Sequence, residues 1–424
     1  MTHTLGTSIK AEHANRRTPV ALVVDDATPC VNPLWFQRYQ LDPIVSSKHA
    51  PSIPLRFMRE WSQWAHKAGI AGAFTVLPFP AGLGRIDQNL RGYDECELKE
   101  WLNIARELLV PRFDIHPKAL SSTLAVKLSD MSLLKNISEH AFLSGQDEQT
   151  LAIYLATASD ILRKAGLPST GTTKPYDLEI DPGLLARAAL AAEKTVNSRS
   201  ITHTLIEQDE TASFVPARLL YCNDATSEAV IGIWAGNQDH LWNTQEFERP
   251  ESGLDPERLA DLYITADGTK GRAVELLQGS GPVVLRTHYQ SLFSNGTKLG
   301  LETMKVVVQR INEHFGRQIE WVPLSTLAAR FVTAEKAKFE FEADEKSVRI
   351  SLSSCYEADV ATFTLVLPWR LQKLPEVTCD GVALSAVNAE YNLKAGTFLA
   401  RGSTVTVSIP VPVGTTEVLL VAAE

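Results

Sequence analysis

The chain has 424 residues, of which 44% are hydrophobic and 21% charged, with a formal net charge of −9 at pH 7. Such a length exceeds one hydrophobic core and predicts a large domain with a smaller one beside it. The negative balance excludes the footprint of a nucleic-acid binder, and no apolar run approaches the roughly 18 residues of a membrane span.

The first residues, MTHTLGTSIKAEHANRRTPV, contain no apolar leader, so 1–17 read as a tail and the chain as cytoplasmic. Then PVALVVDD predicts a strand buried on both faces that stops on two carboxylates, Asp25 and Asp26. Helix periodicity follows in 52–69, a strand in 71–79, and then FPAGLGRID, a loop with Arg85 as a substrate contact. Gly82 and Gly84 lack the spacing of a phosphate loop. Helices are predicted over 97–109, 147–166 and 298–316, and strands over 216–222, 229–236 and 281–289. Strands alternating with helices over 18–334 predict an α/β domain, a sheet or a (β/α) barrel. From 335 to 424 short alternating runs between Gly, Pro and Asp turns predict an all-β sandwich.

In parallel α/β folds the loops after strand ends carry the reactive groups. Asp25 and Asp26 stand at such an end, and GPVVLRTHY ends another strand on His288, whose near-neutral pKa suits a general acid. The segment AVIGIWAGNQDHLWNTQ adds Asp239 and two tryptophans, Trp234 and Trp242, as an acid and aromatic faces for a sugar cleft. The five cysteines are scattered without a CxxC pair, and GxSxG, HExxH and GxGxxG motifs are absent, which disfavours a disulfide framework and a nucleotide cofactor.

A strand ending Asp-Asp, a histidine before a helix at His140, a Pro-Tyr turn at Pro175 and Tyr176, and a late strand ending at His288 together resemble the polysaccharide deacetylase (NodB-homology) superfamily. The resemblance covers roughly 18–330 and implies an irregular deacetylase-like (β/α) barrel. It implies Asp25 as catalytic base, Asp26 as metal ligand, His288 as acid and Tyr176 at the substrate. His140 matches the first imidazole of the family's His-x-x-x-His motif, but Ser144 stands at the second. Thr173 stands where the family's Arg-x-Pro-Tyr motif has arginine, and LRTH places its histidine one residue later than Leu-x-His. An alternative anchor, FDIHPKALSSTLAVKL, offers His116, so the implied ligand set is Asp26, His140 and His116, with zinc as the metal.

The expected activity is removal of an N- or O-acetyl group from a glycan, with a carbohydrate as partner and neither nucleic acid nor membrane. Two alternatives stay open: a metal-independent glycoside hydrolase that pairs Asp25 or Asp26 with Asp239, and a glycan-binding protein without turnover.

Overall fold

The computed structural model describes all residues except 1–7, 34–48, 176, 247–254, 280, 345 and 424. It divides into two compact units: 20–316 with 321–325, and 1–19 with 317–320 and 326–424.

In the larger unit, strands β2 (Thr18–Ala27), β3 (Gly72–Val76), β4 (Phe113–Pro117) and β11 (Val283–His288) form a parallel sheet in the order β11-β2-β3-β4. A second sheet runs β7 (Thr172–Thr173), β8 (Ile201–Gln208), β10 (Glu228–Ala235) and β9 (Arg218–Asn223), with only β9 antiparallel to its neighbour. The α/β class is as expected, but the strands do not close into one ladder. Thr170 N–H donates to Ile115 O at 3.1 Å between β4 and β7, and Gly236 N–H to Val284 O at 2.8 Å between β10 and β11. Among the described residues these are single backbone-to-backbone hydrogen bonds between the sheets, supplemented by side chains, where a barrel would run a full ladder.

Continuous burial explains β2: Val20, Ala21, Leu22, Val23 and Val24 are all fully buried. Helix Leu55–Ala68 packs beneath the sheet through Phe57, Met58, Trp61 and Ala65 and stops at Gly69, whose φ of 69° closes it in the left-handed region. Trp61 stacks on Phe74 of β3, which stacks in turn on Trp101, giving the sheet an aromatic floor. Helix Glu148–Lys164 starts where Asp147 accepts the Thr150 N–H at 2.8 Å.

Gly72 pairs with Leu22, and a Cβ there would lie 1.9 Å from the Leu22 carbonyl oxygen. Backbone cannot yield as a side chain does, so Gly72→Ala forces β3 away from β2 just below the Asp25 end. We expect a loss of about 1–3 kcal/mol in urea unfolding; an unchanged midpoint would show that the strands tolerate the spreading.

The smaller unit is built of two five-stranded sheets. Strands Ser347–Ser354, Ala358–Val366, Thr404–Val411 and Gly414–Val421 alternate, and their inward side chains, among them Ile350, Phe363, Val407 and Leu420, meet in one core. The segment expected as a tail contributes to this unit. Ser8–Glu12 (β1) pairs antiparallel with Ala358–Val366, Ile9 opposite Leu365. Five residues with so little apolar content form a strand because a neighbouring strand supplies the ladder, which is not written in the segment itself. Among the described residues, no helix is long and apolar enough to cross a membrane.

Candidate active site

β2 ends in a distorted turn. Its register with β3 shifts between Val24 and Ala27, and Asp26 adopts φ 55°, a left-handed conformation uncommon for any residue but glycine. The result is that consecutive carboxylates serve one site. Asp25 Oδ1 accepts the Asp26 backbone N–H at 2.9 Å. Asp25 Oδ2 accepts from the Arg286 guanidinium and from Lys118 Nζ at 3.1 Å. Lys118 Nζ also lies 2.8 Å from Asp26 Oδ1, so a single ammonium bridges both acids.

Asp25, Asp26, Lys118 and Arg286 are all buried, with exposures of 0–4%. Two positive and two negative charges cancel, which is what makes their burial tolerable. Burial alone would raise the Asp25 pKa, but the charges of Lys118, Arg286 and His288 outweigh it and hold the carboxyl far below the usual range. Lys118 is pulled the other way: burial disfavours its charge, and Asp25 and Asp26 more than restore it. Arg286 is fixed through its backbone, since Asn237 Oδ1 accepts its N–H at 2.8 Å and Asn237 Nδ2 donates to its carbonyl at 3.0 Å.

His288, two residues along β11 and so on the same face as Arg286, pairs in register with Asp25. Its Nδ1 lies 2.8 Å from Asp239 Oδ2, and its Nε2 points back to Asp25 Oδ2 at 3.9 Å. Asp239 also accepts from Thr287 Oγ1, Ser291 Oγ and the backbone N–H groups of Leu241 and His288. Burial pushes the Asp239 carboxyl up, but the His288 contact and these donors bring it below its ordinary value. An ionised Asp239 thus sets the imidazole's orientation and proton placement. Trp242 packs edge-to-face on the ring, centroids 4.7 Å apart.

One layer deeper, Asp114 and His116 lie on β4 with Lys118 just beyond it, alternate residues that share a face. His116 Nε2 lies 2.7 Å from His203 Nε2, and His116 Nδ1 lies 3.2 Å from Thr173 Oγ1. Asp114 accepts from both the N–H and the Oγ of Ser325. Among the described residues, Asp114, His116 and His203 are the one group of three potential ligand side chains with ligand atoms within 4.8 Å of one another. Their donor types can bind a metal. As arranged, however, the two nitrogens share a proton; two imidazoles on one tetrahedral zinc stand about 3.3 Å apart.

Burial lowers the pKa of both imidazoles to about 3; the charge of His203 adds to it at His116, where Asp114 and Asp25 oppose it, and the charge of Arg199 adds to it at His203. They stay neutral in the fold, whereas in the unfolded chain they titrate near 6.5. Stability is therefore complete above about pH 6.5 and declines as pH falls from there toward about 3, by about 1.4 kcal/mol per pH unit for each imidazole. Urea unfolding at pH 7 and pH 5 should show this decline, and His203→Gln should reduce its slope by about half, since His116 remains. A wild-type stability that is level across that interval would contradict neutral burial.

The implied ligand set of Asp26, His116 and His140 is not brought together. His140 lies at the start of helix Glu139–Ser144 and contacts Ser138 Oγ at 3.2 Å, while His116 belongs to the His203 pair. The position beside Asp26 holds the Lys118 ammonium, so the residues present do not fit a divalent metal at Asp26. Arg85 is bound to Asp87 by two hydrogen bonds of 2.9 and 2.6 Å. One face of Trp234 is covered by the Arg218 guanidinium, 4.8 Å from its centroid. Tyr176 lies outside the described residues.

Sequence reasoning missed Lys118, Arg286, Asp114 and His203. A period-two signal was present for three of them: Asp114, His116 and Lys118 alternate, as do Arg286 and His288.

No protein-family model matches the chain, and no curated protein matches it. Among solved structures, the chain is similar to a protein assigned as a polysaccharide deacetylase from Mycobacterium smegmatis. The two are 15% identical over 78% of this chain and 95% of that one, with a TM-score of 0.43. It is also similar to one assigned as a glycoside hydrolase/deacetylase from Parabacteroides distasonis, 11% identical over 84% and 82%, with a TM-score of 0.41. A GH57-type branching enzyme from Pyrococcus horikoshii is 12% identical over 74% and 70%, with a TM-score of 0.41. Likeness this distant says nothing about which reaction the chain performs.

Proposed function

We propose that this chain is a carbohydrate-active hydrolase that removes an acyl group from a glycan without a metal at its carboxylate pair, its two mostly parallel sheets acting as a distorted (β/α) barrel. The observation that carries this reading is Lys118 Nζ between Asp25 and Asp26, a fixed cation facing an Asp-oriented histidine.

Hydrolysis needs a base for water, positive charge for the oxyanion, and an acid for the departing sugar oxygen or nitrogen. Both oxygens of Asp25 are engaged, and two cations depress its basicity, so it serves to hold Lys118, Arg286 and His288 in place. Asp26 meets only the Lys118 ammonium among the described side chains, as an ion pair through Oδ1 that leaves this buried oxygen without a hydrogen bond. Asp26 therefore takes the proton as water attacks the acyl carbon. Lys118 supports the charge that develops on the carbonyl oxygen. His288 gives its Nε2 proton to the leaving group as the C–O or C–N bond breaks, yielding carboxylic acid and deacylated sugar.

The glycosidase alternative needs a second free carboxylate across the substrate. Asp239 is spent on His288 and four further donors, which argues against that role. The test is acetate release by the full chain from acetylated chito- and xylo-oligosaccharides, before and after exhaustive chelation. We expect acetate at a rate that chelation leaves unchanged. New reducing ends without acetate would establish the glycosidase instead, and glycan binding with no product of either kind would establish a binding protein.

A further inference from the structure

The smaller unit holds a cleft of about 950 Å³, a size suited to a small ligand, lined among others by Asn15, Arg17, Asn388, Tyr391 and Lys394. We propose that this cleft binds an acidic saccharide, a pyranose unit that carries a carboxylate, at a site separate from the carboxylate pair.

Asn15 carries the argument. It is only 8% exposed and sits in a turn where it and Arg16 both adopt left-handed backbone, φ 55° and 53°. Its backbone N–H is satisfied by Thr362 Oγ1 at 2.8 Å, but its side-chain Oδ1 is buried with no hydrogen-bond partner. A buried amide oxygen without a donor is costly, and a ligand that supplies one recovers that cost. Arg17 presents the opposite need. One Nη is held by the Tyr391 carbonyl, while its Nε is buried without an acceptor. The ligand must therefore bring both a donor and an acceptor. Sulfate supplies acceptors only and leaves Asn15 unpaired, and hydrogen phosphate brings a P–OH donor but no C–H face for the tyrosine; adjacent sugar hydroxyls on a pyranose supply donor, acceptor and face.

The other wall agrees with a sugar. Tyr391 is 46% exposed; the Arg317 guanidinium covers one face of its ring, 5.1 Å from the centroid, which leaves the opposite face for the C–H side of a pyranose. Asn388 and Asn392, linked at 3.0 Å, add amide groups at the rim. The charge points to an acid. Glu320, the one carboxylate of the lining, shares the Arg330 guanidinium with Asp359, so the lining itself sets two cations against one carboxylate, and Lys394 Nζ has no carboxylate partner among the described residues. Arg17 and Lys394 thus leave the cleft with positive charge unmatched.

Titration calorimetry of the full chain tests this with three probes: a glucuronate-containing disaccharide, its neutral glucose counterpart and inorganic phosphate. We expect saturable binding in the millimolar range or tighter for the glucuronate disaccharide, and at least tenfold weaker binding of the other two. Lys394→Ala should reduce the acidic sugar to the level of the neutral one, and Tyr391→Ala should weaken both. Neither residue belongs to the carboxylate site, so acetate release from a short soluble substrate should be unchanged in both variants. Asp26→Asn, which removes the proposed base, should leave this binding intact, so the two proposals fail separately. Phosphate binding as tight as the acidic sugar, no binding of any probe, or undiminished binding in the Lys394→Ala/Tyr391→Ala double variant would each overturn the assignment.

Discussion

Lys118→Met should cost about 3–5 kcal/mol in urea unfolding at neutral pH. The ammonium is 4% exposed and lies 3.1 Å from Asp25 and 2.8 Å from Asp26, while methionine replaces its stem without its charge. Removing it leaves two adjacent buried carboxylates against Arg286 alone, and one of them must either stay ionised without compensation or take up a proton. The second variant separates charge from packing. Lys118→Met/Asp26→Asn removes the uncompensated charge together with its partner and should recover much of the loss, because an ion pair deleted whole is far less damaging than one deleted by half. Should Lys118→Met alone fall within about 0.5 kcal/mol of wild type, the range of an ordinary surface substitution, the ammonium would not be the group that holds the pair. Acetate release should fall with it, since the same cation stands where the oxyanion forms.

How far the sequence foretold this site depends on the range of the interaction concerned. Asp25 and Asp26 were legible because a continuously buried strand rarely ends on two charges without a use for them, and that signal is local. His288 was legible on the same ground, and Trp242 as an aromatic beside it. The helix Leu55–Ala68 was legible from its apolar spacing and its terminal glycine. Lys118 and Arg286 were hidden in a different way. Each lies on the same face as a residue that was noticed, but what places it in the cluster is a partner 93 or 261 residues away, and only the parallel register that sets Asp25 opposite His288 brings them together. The failure at His140 is the converse. A motif resemblance placed a histidine before the helix predicted over 147–166; that helix forms as Glu148–Lys164, but His140 lies inside a separate short helix, Glu139–Ser144, started by Ser138 accepting the Ala141 N–H. The sequence fragment was sufficient for the helix and silent about which face of the domain it lies on. The N-terminal strand fails for the same reason, since its ladder is supplied by Ala358–Val366.

His288→Asn should reduce turnover by about 10²–10⁴-fold, the ordinary contribution of a positioned acid, with little change in unfolding midpoint. The side chain is 14% exposed, the most open of the group, and when it is replaced Asp239 keeps its hydrogen bonds from Thr287, Ser291 and Leu241, with the asparagine amide able to donate a further one. Asp239→Asn is the informative companion. The carboxylate touches the imidazole at Nδ1, on the side away from Asp25, so in the proposed mechanism it acts only by orienting His288. Residues that act through one another are not additive. Asp239→Asn should therefore lower the rate substantially in the wild-type background and hardly at all once His288 is already asparagine. Multiplying losses in the double variant would mean that Asp239 meets the substrate independently. That outcome would revive the two-carboxylate glycosidase, because Asp239 would then be the free second acid that this hydrogen-bonded arrangement denies it.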